Sequence, residues 1–212
     1  MAQDRELLGY VARHGMVTPA QLAAHFSIPP VSMRDQLRSL EDAGLLCCDD
    51  VLVRWPEVVR ATRSGARLAG CDLAPASLDL ARIRHSLALV DLSEQLLGAH
   101  PGSAWTTERE LRRDRMRAAR AGNGWEMRRR VPDGLLRLDD GTRVAVELDL
   151  TPKRSARLEL LAGAYAVDRD VDTVWWYLPT EAASSRMRGL VAERGLEHLI
   201  EPRTRRVEPP LD

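Results

Sequence analysis

A mixed α/β (α+β) fold in two domains is predicted by three features of the sequence. Residues 4–46 carry three short helical periodicities punctuated by Gly15 and by Pro29-Pro30. Residues 131–153 alternate as a β-hairpin around Asp139-Asp140-Gly141. Beyond the hairpin, helix and strand patterns follow one another to residue 200, the order expected of an α/β layer. The expected limits are 1–72 and 78–204, joined by a linker over Cys71–Ser77, with a frayed tail at 205–212.

In the first domain, Asp4–His14 places Leu7, Leu8 and Val11 on one helical face, and Gly15 ends it. Thr18 caps a second helix, Pro19–Phe26, and a third runs from Pro30 to Ala43 with Met33, Leu37 and Leu40 turned inward. Leu45–Cys48 and Val51–Trp55 read as two strands around Asp49-Asp50, and Val58–Ala69 reads as a helix. Two short helices, then Leu40-Glu-Asp-Ala-Gly-Leu-Leu46 and a strand pair, are similar to the winged helix-turn-helix domains of bacterial regulators. That resemblance implies that the third helix enters the major groove of double-stranded DNA. Ser32, Arg34, Asp35 and Arg38 lie away from the apolar stripe. Arg34 and Arg38, four residues apart, suit guanine or phosphate, and Arg54 near the wing adds a backbone contact. Winged helices also serve as protein-docking modules, so a dimerisation role stays open.

Composition narrows the partners. The chain has 212 residues, 31 basic and 31 acidic, so its formal net charge is zero. Generic nucleic-acid coating, which needs excess positive charge, is disfavoured, and DNA contact must come from local patches. One such patch is 109–130, with nine arginines against three acids. It reads as an extended basic loop in which Arg128 and Arg129 meet phosphates and Trp125 stacks on a base. Cys47, Cys48 and Cys71 form neither a disulfide framework nor a zinc pattern. With no run of eighteen apolar residues and no signal-peptide pattern at the start, the expectation is a soluble cytoplasmic protein with no membrane contact and no small-molecule cofactor.

The second domain opens on an amphipathic helix, Asp79–Leu97, with Ile83, Leu87 and Val90 inward. Trp105–Leu111 follows as a strand or helix edge carrying Glu110. In the hairpin, a strand period of two sets Val144, Val146, Leu148 and Leu150 on one face and Arg143, Ala145, Glu147 and Asp149 on the other. Asp133 begins the partner strand. Three converging carboxylates need a positive neighbour, and oxygen ligands of this kind suit Mg2+ or Mn2+. Thr151-Pro152-Lys153 reads as the start of a helix to Val167. Lys153, the sole lysine beside thirty arginines, sits where the helix dipole does not favour a cation. Thr173–Leu178 then reads as a buried strand, Glu181–Arg194 as a helix and Leu196–Ile200 as a last strand.

Asp133 after a proline, Glu147 on a following strand and a nearby lysine resemble the PD-(D/E)XK, or restriction-endonuclease-like, nucleases. The resemblance implies Asp133, Glu147 and Lys153 as catalytic residues, and Asp133, Glu147, Asp149 and Glu110 as metal ligands. The chain departs from that pattern in carrying Asp149 two residues after Glu147, where the family has its lysine. Val146-Glu-Leu-Asp-Leu-Thr-Pro-Lys153, Arg84-His-Ser-Leu87 and Glu108-Arg-Glu-Leu-Arg112 are similar to the replication-relaxation proteins of actinobacterial plasmids, phages and integrated elements. Two functions follow as alternatives. One is a site-specific DNA-binding protein that nicks or cleaves DNA with magnesium. The other is a non-enzymatic repressor or replication regulator whose second domain dimerises or adds DNA contacts. Tyr10, Tyr165 and Tyr177 are too scattered for a tyrosine relaxase.

Overall fold

A computed structural model describes residues 2–51, 55–122, 130–151 and 153–205. It is a mixed α/β chain with eight helices and two sheets among those residues, and its backbone divides into two compact units, 1–95 and 96–207. No described helix is long and apolar enough to cross a membrane.

The first unit contains α1 (Ala2–His14), α2 (Pro19–His25), α3 (Pro30–Asp42), β1 (Leu46–Asp49), β2 (Val58–Ala61), α4 (Arg63–Leu68) and most of α5 (Ile83–Ala99). Thr18 and Gln21 close a capping box at the start of α2. The Gln21 amide also donates to Leu87 O at 2.9 Å and to Asp91 at 2.7 Å, which ties α2 to α5. Leu7, Leu8, Val11, Leu22, Met33 and Leu37 fill one core. β1 and β2 pair antiparallel, Leu46 opposite Ala61, and the other edge of β2 takes Val17 through reciprocal bonds with Val59 at 2.8 and 3.2 Å.

One expectation is corrected here: Val58–Ala61 is a strand, where the sequence predicts the start of a helix. Val58 and Val59 are β-branched and fully buried, so they pack better on a pleated face than in a helix, and Thr62 then caps α4. Of the strand expected at Val51–Trp55, residues 52–54, including Arg54, lie outside the described residues.

The second unit carries one five-stranded sheet in the order β3 (Ala104–Thr107), β4 (Gly134–Arg137), β5 (Arg143–Leu148), β6 (Thr173–Leu178) and β7 (Ile200–Thr204). The first three strands pair antiparallel and the last three parallel. α6 (Glu108–Arg120) follows β3, α7 (Ser155–Ala166) links β5 to β6, and α8 (Glu181–Glu193) links β6 to β7. Gly141, at φ 89°, closes the β4–β5 hairpin as its Asp-Gly sequence predicts. Leu158, Leu161, Ala162, Val174, Trp176 and Met187 form the core between the sheet and α7 and α8.

Three expectations change here. The arginine-rich stretch is helical as far as Arg120, not an extended loop. Thr107 and Glu110 form a capping box, Arg112 bonds Glu108 one turn earlier at 3.0 Å, and arginine, methionine and alanine are good helix formers. Helix α7 begins at Ser155, so Lys153 precedes it, and Arg154 is its N-cap without a side-chain bond. The last strand starts at Ile200. Gly195 takes φ 65°, and the chain turns through Leu199 before pairing with β6. Pro202 is accepted there because β7 is an edge strand.

Candidate functional site

The acidic residues of the hairpin meet at the C-terminal end of β5. Gly134 stands opposite Val146, so Asp133 enters β4 beside Glu147, and the Asp133 carboxylate accepts Leu148 N–H at 2.9 Å. Glu147 and Asp149 share a face, as the alternation predicts. That face carries Ala145 and meets Tyr165 and Trp176, and the two acids are only 1% and 3% exposed, as buried as Val144, Val146 and Leu148 on the other face.

Each buried carboxylate is met by a cation and an aromatic donor. Arg130 grips Glu147 with both branches of its guanidinium, Nε at 2.8 Å from Oε1 and a terminal nitrogen on Oε2. Tyr165, on the inward stripe of α7, donates its hydroxyl to the same Oε1. Asp149 takes Lys153 Nζ on Oδ1 and the Trp176 indole N–H at 3.1 Å on Oδ2. The Asp149 amide continues the β5–β6 ladder by donating to Tyr177 O at 2.8 Å. Helix α6 supports the arrangement, since Arg115 donates to Arg130 O at 2.6 Å.

The electrostatics follow from burial. Desolvation, then the neighbouring Asp133 charge, push the Glu147 carboxyl up to about 7, against the opposing pull of Arg130 and Tyr165. Burial works against the Arg130 charge, but Glu147 more than offsets it and Arg130 stays protonated. The Tyr165 hydroxyl is held neutral by burial and by the carboxylate it serves.

Both oxygens of Glu147 and both of Asp149 accept hydrogen bonds, so a divalent cation would compete with Arg130 and Lys153 for these carboxylates. Glu110 gives its carboxylate to Thr107, whose N–H and hydroxyl both donate to it at 2.9 Å. Among the described residues no group of three or more histidine, cysteine or acidic side chains is placed to hold a metal ion. Lys153 meets Asp149, two residues beyond Glu147.

In the first unit, α3 turns Met33, Leu37 and Leu40 into the core and leaves Ser32, Arg34, Asp35 and Arg38 exposed. Arg38 pairs with Asp35 at 3.0 Å on that open surface. Val31, also on α3, is 69% exposed. Arg128, Arg129 and Trp125 lie outside the described residues.

Arg130, Tyr165 and Trp176 are missing from the residues picked out by sequence. Tyr165 was within reach, because Leu158, Leu161, Ala162 and Tyr165 repeat at helical spacing and make it the one polar group on the inward stripe of α7. Trp176 alternates with Val174 and Leu178 and shares their buried face. Arg130 gives no comparable signal among nine neighbouring arginines. Comparison with known proteins finds no matching family model, no matching curated protein and no matching solved structure.

Proposed function

We propose that the chain is a site-specific double-stranded-DNA-binding protein of a plasmid, phage or integrated element, with α3 as its reading helix. The observation that carries this is the two-sided character of α3. Its apolar stripe is locked into the core, while Arg34 and Arg38 stand one turn apart on the exposed side. The capped α2 before it, the β1–β2 pair after it and the Val17 bridge on β2 support a winged-helix reading of the first unit. The similarity to replication-relaxation proteins in 84–87, 108–112 and 146–153 supports the mobile-element setting.

For the second unit the geometry favours the regulator. Arg130 and Lys153 supply the positive charge that the acids require, and a magnesium or manganese ion would compete with them for the same carboxylates. The nuclease reading keeps one specific observation, the adjacency of Asp133 and Glu147 at the open end of the hairpin, with Asp149 and Lys153 beside them.

Fluorescence anisotropy on the DNA upstream of the chain's own gene tests the first part. Arg34→Ala and Arg38→Ala should each weaken specific binding by about 1–3 kcal/mol if they read bases, and should relax sequence preference. Binding no tighter than to random duplex, or unchanged in both variants, would refute it. Supercoiled DNA with Mg2+, Mn2+ or EDTA tests the second part. Intact DNA in every lane is expected of the regulator, whereas cation-dependent nicking lost in Asp133→Ala and Lys153→Ala would establish the nuclease.

A further inference from the structure

We propose that the outward face of α7 is a self-association surface, on which a second copy of this chain lays its own α7 antiparallel about a two-fold axis. The inference is independent of the DNA-binding reading. It starts from an anomaly in the helix: α7 is apolar on both sides. Leu158, Leu161, Ala162 and Tyr165 are buried against the sheet. On the opposite side Ala156, Leu160, Gly163 and Val167 recur at i, i+4, i+7 and i+11, and all four are exposed, Leu160 at 64% and Val167 at 80%. With Arg157 and Glu159 confined to its flanks, the helix presents apolar residues on two opposite faces, and an apolar helix face is normally covered.

Its shape fits a second copy. The middle of the stripe is Gly163, where a side chain would meet nothing within 4 Å, followed by Ala164. Small residues there let another helix approach to about 8 Å between axes. A two-fold axis passing between Gly163 and Ala164 sets Leu160 of one copy beside Val167 of the other, so the two large exposed side chains cover each other reciprocally, as an isologous contact requires.

Charge gives the same register. The start of α7 is basic, with exposed Arg154 and Arg157 and no acid in the first turn. Its end is followed by Asp168, Asp170 and Asp172, with no base in the last turn. Both ends therefore carry the sign that the helix dipole disfavours. The aspartates face Arg143, which bonds Asp172 at 3.1 Å and approaches Asp170 at 3.6 Å, and Arg169 lies among them. Three acids against two bases leave that end net acidic. The register that pairs Leu160 with Val167 brings Arg157 to the second copy's Asp168 and Asp170. A parallel arrangement would set like charges together at both ends.

Sedimentation velocity on the full chain, from about 1 to 100 μM, tests the proposal. A concentration-dependent dimer is expected. Leu160→Glu should raise its Kd by tenfold or more with unchanged circular dichroism and melting temperature. Arg157→Asp should weaken it, and Arg157→Asp combined with Asp170→Arg should restore it. A monomer throughout, or a dimer indifferent to Leu160→Glu, would overturn the proposal. A dimer weakened by Leu160→Glu and by Arg157→Asp, but not restored when Asp170→Arg is added to the latter, would overturn the antiparallel register.

Discussion

Replacing Arg130 by methionine tests the account of the buried acid most directly, because the outcome depends on pH in a calculable way. Glu147 carries its proton up to about 7 in the folded chain, against 4.5 ordinarily. Between those values the folded state binds the proton more tightly than the unfolded state, so stability falls as pH rises from 4.5 to 7, by about 3 kcal/mol in all, and this contribution is level above 7. Methionine keeps the length and apolar stem of Arg130 but removes the charge that holds Glu147 ionised. The Glu147 pKa then moves above 7, and the decline continues where the wild type is level. The stability gap should therefore widen as pH rises above 7, by at most about 1.4 kcal/mol per pH unit. Lost hydrogen bonds and relief from burying a guanidinium act in opposite directions and do not vary with pH. Urea titrations at pH 6, 7, 8 and 9, followed by the fluorescence of the buried Trp175 and Trp176, measure the gap. Adding Glu147→Gln to the methionine variant should abolish the widening. A gap constant from pH 6 to 9, or one that widens toward acid, would refute the reasoning.

Three further predictions concern other sites. His14 packs 4.4 Å from the Tyr10 ring, and burial, then the charges of Arg13 and His25, depress it to about 3. The folded state thus resists protonating it, and stability should fall as pH drops below about 6.5, by about 2 kcal/mol at pH 5. In an NMR titration its ring proton should stay unshifted from pH 8 to 5, and a midpoint near 6.5 would contradict the burial. Gly134→Ala would set a Cβ 2.0 Å from Trp105 Cζ2, a cost of about 1–3 kcal/mol that Trp105→Ala should relieve in a double-mutant cycle. Gly65→Ala meets Leu45 O at 2.0 Å, a backbone atom no side-chain replacement can remove, so a helix-favouring substitution should there destabilise without rescue, as read by thermal melts.

What the sequence disclosed follows the range of the interactions concerned. The first three helices were legible within a residue or two because each is defined by contacts inside a single segment, such as the Thr18 cap or the Met33, Leu37 and Leu40 stripe. β2 escapes the sequence because its partner β1 lies earlier in the chain and its other edge is satisfied by Val17, neither of which leaves a mark in residues 58–61. The basic stretch was misread for a different reason. Charge density alone suggests extension, whereas Glu108 and Glu110 at one end and alanines at the other make the stretch a good helix.

The acid cluster shows how the same limit bears on function. Alternation in β5 was enough to place Glu147 and Asp149 side by side, and the hairpin was enough to bring Asp133 to them. Counting acids alone gives three negative charges and calls for a divalent cation. The compensating residues come from elsewhere: Arg130 precedes the hairpin, Tyr165 lies in α7, Trp176 in β6, and Lys153 in the connection between. With Arg130 and Lys153 included, the residual charge is a single negative one. A Glu147 pKa near 7 leaves that carboxyl part-protonated at neutral pH and reduces the residue further. A site with so little charge left to neutralise has no electrostatic need of a divalent ion, so cation-dependent cleavage would require Arg130 or Lys153 to let go first. In that case Arg130→Met should bind the metal more tightly than the wild type, whereas a site that is purely structural should gain no metal affinity from the change.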